Sequence, residues 1–168
     1  MKTKMFFVAF VIIAVSAHSQ SFDMKLEKLA KEIAERINSK EKTKVAIWGF
    51  FPESTMDKKN VLGNYLTEDF SIYLPNHAEN FAVVDRTHLN AILKEHRLNA
   101  EGYVDERTAK RLGKIIAADA IVVGTYTIFS SEIRVRVRVL DTETALQFAG
   151  AIGNFSMNDN IARLLGKL

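Results

Sequence analysis

Outside the first twenty residues the histidines, the side chains whose ordinary titration lies near neutral pH, are His77, His88 and His96. His88 and His96 stand eight positions apart, two helical turns, whereas a shared metal on one helix face needs ligands at i and i+4. His77 follows Pro75 in a polar turn. On spacing, these are exposed or half-buried histidines rather than ligands. Gly49, Gly63, Gly102, Gly113 and Gly124 are scattered and form neither GxGxxG nor GxxxxGK[ST], so nucleotide binding has no motif. Asp85-Arg86 follows a short apolar run, where α/β folds often bind ligands. With no convergent partner nearby, the pair reads as a helix cap and a surface charge. No catalytic residue, cofactor site or metal site is assigned, and the chain is not expected to be an enzyme.

The most unusual pattern is a row of arginines. Arg134, Arg136 and Arg138 alternate with Ile133, Val135, Val137 and Val139, so a strand here has one apolar face and one cationic face with charges about 6.6 Å apart. The row is the candidate interaction surface. It can meet an anionic partner, or it can be a solvated sheet face whose arginines pair with Glu132 and neighbouring strands. Phe50-Phe51-Pro52 offers another contact, read here as core residues closing a sheet.

The elements that position these residues can be read from periodicity. Leu26, Leu29, Ala30, Ile33 and Ile37 fall on one stripe of a helix, with Glu27–Lys31, Lys28–Glu32 and Glu32–Arg36 one turn apart on the other. Val45 to Phe51 is apolar without alternation, as in a strand covered on both faces. A helix with Leu62, Leu66, Phe70, Tyr73 and Leu74 inward ends at Pro75-Asn76, and Phe81 to Val84 is a short second strand. Asp85 or Thr87 caps a helix with Leu89, Ile92 and Leu93 inward. After a turn at Asn99 to Gly102, Asp105 caps another, with Ala109, Leu112 and Ile116 inward. Ala120–Phe129, Glu132–Leu140 and Ala145–Phe155 are strands joined by short turns, hence antiparallel. Asn158 or Asp159 caps a last helix carrying Ile161, Leu164, Leu165 and Leu168. The fold class is α/β, a single domain with a mixed sheet: a parallel βαβ part, then antiparallel C-terminal strands, with helices packed on the sheet.

The chain opens with Lys2 and Lys4, an apolar run from Met5 to Val15 and small or polar residues to Gln20, the three parts of a secretory signal. That run is shorter than the ~20 residues that cross a bilayer. Cleavage after Ser19 is expected, with Ala17 as second choice, giving a signal peptide at 1–19 and one domain at 20–168. The formal charge of +3 loses two lysines with the signal, and a nearly neutral domain is a poor nucleic-acid binder. The chain has no cysteine, which excludes disulfides, thiolate metal sites and a lipid anchor on an N-terminal cysteine.

Several phrases in this order are familiar: KVAIWGF (44–50), LGNYLTEDFSIYL (62–74), FAVVDRTHLNAILKEHRL (81–98), TAKRLGKIIAADAIVVGTYT (108–127) and RVRVRVLDTET (134–144). The stretch from Val45 to Phe155 resembles the CsgG family of curli secretion and its relatives, the flagellar FlgO-like and LpoB-like envelope proteins. The resemblance implies a non-catalytic periplasmic domain, peripheral at the outer membrane, that assembles with or contacts other envelope proteins. Members are commonly lipoproteins, which this cysteine-free chain does not match. The CsgG channel also needs long membrane-inserting hairpins, and no spare pair of alternating segments is present. An accessory or adaptor role in envelope or curli-type fibre assembly is therefore expected. An LpoB-like regulator of a peptidoglycan synthase is the second reading, and a small periplasmic hydrolase using Asp85 and a loop histidine is the rival of another class. Because CsgG-like rings have heterologous interfaces, the arginine row facing Glu53, Asp57, Glu68 and Asp69 of another copy would make a homo-oligomer. The alternative is a monomer with solvated arginines.

Overall fold

The computed structural model describes residues 21–53, 59–95 and 106–166. The expected signal peptide, the turn at 99–102, Asp105, His96, Asp57 and Leu168 lie outside them. The elements run α1 (Phe22–Asn38), β1 (Lys44–Pro52), α2 (Val61–Asn76), β2 (Ala82–Val83), α3 (Arg86–Glu95), α4 (Glu106–Ile116), β3 (Ala120–Ile128), β4 (Glu132–Asp141), β5 (Gln147–Ser156) and α5 (Asp159–Leu164). The five strands form one sheet in the order β2-β1-β3-β4-β5. β1 is parallel to both neighbours, and β3-β4-β5 is an antiparallel meander, as expected. No helix among the described residues is long and apolar enough to cross a membrane.

From β1 the chain moves to one side through α2 to β2, then back past β1 through α3 and α4 to β3. Right-handed crossovers taken in opposite directions place their helices on opposite faces. One core cluster accordingly joins α1, α2 and α5 to Val45, Ile47, Phe50 and the valines of β4. The other joins Leu89, Leu93, Ala109, Leu112 and Ile116 of α3 and α4 to Ala46, Trp48, Phe51 and Val123. β1 is thus buried on both faces, the reason its sequence is apolar without alternation. Phe50 and Phe51 are core residues, 0% and 8% exposed.

Several boundaries differ from the pattern. α2 includes Pro75 in its last turn and stops one residue later at Asn76, because the proline lacks one helical N–H and its ring crowds the preceding turn, so the helix does not continue. β2 contracts to two residues. β5 starts at Gln147 rather than Ala145, whose φ of 61° belongs to the turn. The register of β1 against β3 slips between Ile47 and Gly49, leaving Trp48 as the extra residue of a bulge and Gly49 at φ 149°.

Side chains fix both ends of β1. At its start, one oxygen of Asp119 accepts from the Thr43 and Lys44 amides, each at 2.9 Å. Nearby, Asp141 Oδ1 accepts from the Glu143 and Thr144 amides at 3.0 and 2.7 Å and the Thr144 hydroxyl at 2.9 Å, while Oδ2 meets Lys42 Nζ. Burial works to raise the Asp141 pKa, but Lys42 and Thr144 outweigh it and hold the carboxyl at about 2 instead of 3.8. A depressed carboxyl stabilises the fold above its unfolded pKa, and that contribution is lost as pH falls through the folded value. The Asp141 side chain is only 16% exposed, so the shift corresponds to about 2 kcal/mol. We expect urea stability to fall by about that much between about pH 4.5 and pH 2 from this group. Asp141→Asn should start lower and lose correspondingly less over the same range. An unchanged slope for the variant would assign the acid sensitivity elsewhere.

Candidate functional site

β4 pairs Arg134, Arg136 and Arg138 with Thr127, Thr125 and Val123 of β3 on one side and with Asn154, Ile152 and Gly150 of β5 on the other. All three arginines lie on the sheet face that carries α3 and α4, but those helices pack over β1 and β3. Among the described residues the β4–β5 half of that face has no helix across it. The arginines are half-buried by their neighbours, and Ile133, Val135, Val137 and Val139 are buried on the opposite face. The alternation is therefore correct in both phase and sidedness.

The three arginines are not equivalent. Arg134 Nε donates to Asn154 Oδ1 at 3.0 Å, lies 3.6 Å from Glu132, and sets its Cζ 5.7 Å from the Phe129 ring centroid. Arg136 Nη1 donates to Glu53 Oε2 at 2.6 Å and to Thr127 Oγ1 at 3.2 Å. Glu53 also accepts from Thr127 at 2.5 Å and Thr125 at 3.1 Å. The Thr127 bond leads the causes that hold the Glu53 carboxyl below its usual range, against burial and with help from Thr125 and Arg136. Arg138 has no hydrogen bond or ion pair to any described residue, and it lines a groove of about 840 Å³ with Gln147, Phe148, Gly150 and Arg36.

The acidic residues expected to face the row from another copy have neighbours within the chain. Glu53, assigned to the surface of a second molecule, meets Arg136 within the same chain because the turn after β1 ends beside β3. Glu68 lies 3.6 Å from Arg86, and the Asp69 carboxyl, raised chiefly by burial, faces Tyr65. Intrachain neighbours thus engage the three acidic residues that are described.

The remaining candidates do structural work. Asp85 Oδ1 accepts from the His88 amide at 2.9 Å, a helix cap. Arg86 Nη1 donates to the carbonyls of Ile47 and Trp48 at 3.3 and 3.2 Å and so ties α3 to the bulge. His77 closes α2 with Nε2 3.6 Å from Glu27, while His88 is exposed on α3. The described residues bring neither histidine to a hydroxyl nucleophile in a cleft, and no group of three metal-ligating side chains occurs among them.

Sequence reasoning missed the surroundings of the row. Lys25 and Lys28 of α1 flank β5 on the other side, along a second groove with Leu29 and Gly153. Arg36, paired with Glu32 at 2.5 Å, reaches the arginine groove. One available signal was the composition of β5, QFAGAIGNFS, ten residues with no charge beside a strand holding three arginines.

Comparison with known proteins follows this geometry. A family model described as FlgO protein matches residues 27–160. A search of curated proteins finds no match. Among solved structures the chain is similar to the LpoB C-terminal domain from Salmonella enterica, with a TM-score of 0.60 at 10% identity, covering 79% of this chain and 96% of that one. The LpoB C-terminal domain from Escherichia coli gives 0.58 at 9% identity, covering 79% and 98%. Lipoprotein GNA1162 from Neisseria meningitidis gives 0.52 at 14% identity, covering 70% and 83%. At these identities the likeness is one of fold.

Proposed function

Since the chain belongs to the FlgO protein family, whose model spans most of its length, we propose that it is an exported, non-catalytic accessory protein of envelope or surface-fibre assembly that acts by protein contact. The observation that carries this reading is the half-face of β4 and β5, left without a helix among the described residues and bearing Arg138 free of any counter-charge there. A sheet face with an uncommitted guanidinium recognises carboxylates well, whereas the described histidines lack the arrangement that hydrolysis requires. The family match falls on the flagellar relative of CsgG, so the curli-type role is one destination among envelope assemblies. The fold shared with the LpoB domain supports the second reading, a regulator of a peptidoglycan synthase.

Cross-linking in cells, with a C-terminal affinity tag, tests the proposal. The expected result is a mature chain starting at Gln20, recovered from the periplasm and joined to one discrete envelope protein, with the adduct reduced by Arg138→Glu. A synthase in the adduct selects the second reading, and a fibre or flagellar component selects the first. Recovery from the cytoplasm with Met1 present would overturn the proposal.

A further inference from the structure

Among the described residues β5 is the outer strand of the sheet, and beyond the bulge at its start, between Gln147 and Ala149, its edge lacks the usual protection. Edge strands are normally short, or interrupted by proline, or guarded by charged side chains. β5 spans ten residues, Gln147–Ser156, without proline or charge, and Ile152 is 63% exposed. Met157 donates to Ser131 on the β4 side. By alternation, Gly150, Ile152 and Asn154 direct their backbone groups outward. The Asn154 carbonyl meets Lys25 Nζ at 3.4 Å, in agreement with that phase.

Charge surrounds this edge on both sides. Lys25, Lys28 and Arg36 stand on the α1 side, Arg36 reaching round to the groove, and Arg136 and Arg138 stand on the open face. Glu32 and Glu53 neutralise Arg36 and Arg136, which among the described residues leaves Lys25, Lys28 and Arg138 without a carboxylate. A two-fold pairing of two β5 edges would bring these cations together, and like charges across a ladder are destabilising. The edge is therefore open to strands in general but biased against its own copy.

Resting on the adaptor reading above, we propose that β5 is a β-augmentation site for an extended acidic segment of the partner, with a glutamate or aspartate placed opposite Gly150. Gly150 pairs with Arg138 and carries no side chain of its own; the Gln147 amide group, 3.0 Å from where a Cβ would stand, is the flexible side chain that must turn aside for the pair to meet. An added strand would lie two strand spacings, about 9.6 Å, from β4. Arginine and glutamate side chains, meeting over the glycine, close that span. The next residues of the segment turn toward α1 and Leu29, so the partner alternates acidic and apolar residues. Main-chain bonds supply affinity and the carboxylates supply choice of partner.

The test uses the mature chain and two synthetic peptides, one alternating glutamate with valine and one alternating lysine with valine. The glutamate peptide should bind, more weakly as salt is raised, and should slow amide hydrogen exchange at Gly150, Ile152 and Asn154. The lysine peptide should not bind. Arg138→Ser should weaken binding by about tenfold or more, the loss of one charge-assisted bond. Lys28→Glu, on an exposed helix face, should weaken it by a smaller factor, through the less positive field around the edge rather than through a contact, and without touching the sheet. Equal binding of the two peptides, binding that leaves those three amides unprotected, or dimerisation of the free chain through β5 would overturn the assignment. If the peptide fails while the cellular adduct persists, the edge assignment falls and the adaptor reading stands.

Discussion

Phe50→Ala is expected to lower the unfolding free energy by about 3–5 kcal/mol, the usual cost of emptying a buried aromatic site. Phe50 is fully buried, its ring centroid lies 5.2 Å from that of Phe70, and it fills the space above Gly124. A Cβ at Gly124 would stand 2.1 Å from the Phe50 ring, so the glycine admits a side chain from the neighbouring strand rather than the close approach of a helix. Gly124→Ala alone should therefore destabilise, by about 1–3 kcal/mol. In the Phe50→Ala background the added methyl enters the vacated space, and the second substitution should be neutral or favourable. Urea unfolding of the four proteins in this cycle measures the coupling. Simple additivity would show that the ring and the glycine do not share the site.

Gly63→Ala is the second large effect, and its sign runs against helix propensity. In an exposed helix interior alanine is better than glycine by about 1 kcal/mol. Here the new Cβ would stand 2.2 Å from the Phe50 carbonyl oxygen and 2.0 Å from Asn60 Oδ1. Neither atom is free to retreat. Asn60 donates to that carbonyl at 2.9 Å and accepts from Tyr126 Oη at 2.9 Å. Thr67 Oγ1 accepts from the Phe50 amide at 3.0 Å and donates to the Gly63 carbonyl at 2.6 Å. Overpacking together with disruption of this buried network should cost about 3 kcal/mol or more. Asn64→Ala, one residue along on the exposed side of α2, should instead change stability by less than about 0.5 kcal/mol. Equal effects of the two substitutions in chemical denaturation would refute the close approach of α2 to β1.

Both predictions depend on the same junction, which also sets the arginine face. The end of β1, held by Asn60 and Thr67, delivers Glu53 to Arg136. Arg136 is thereby engaged within the chain, and Arg138 is the arginine on which the proposed docking rests. A change at Gly63 can weaken binding without touching the surface, so stability and binding must be measured on the same variants.

Sequence alone determined the features that come from local chemistry repeated along the chain. The stripe of α1, the unbroken apolar run of β1, the strict alternation of β4 and a cap at Asp85 or Thr87 and at Asn158 or Asp159 are properties of near neighbours, and the structure realises each pattern, choosing Asp85 and Asn158 for the caps. Short turns likewise fixed the antiparallel meander, since they cannot carry a crossover. Tertiary structure decided what depends on residues far apart in the chain. The bulge at Trp48, the meeting of Glu53 with Arg136, the room Gly124 leaves for Phe50 and the pairing of Lys42 with Asp141 all join separate segments. The position of β5 at the sheet edge belongs to the same class. Periodicity records which way a side chain points from its own backbone, but not which strand lies beside it, and an edge is defined by the neighbour that is missing.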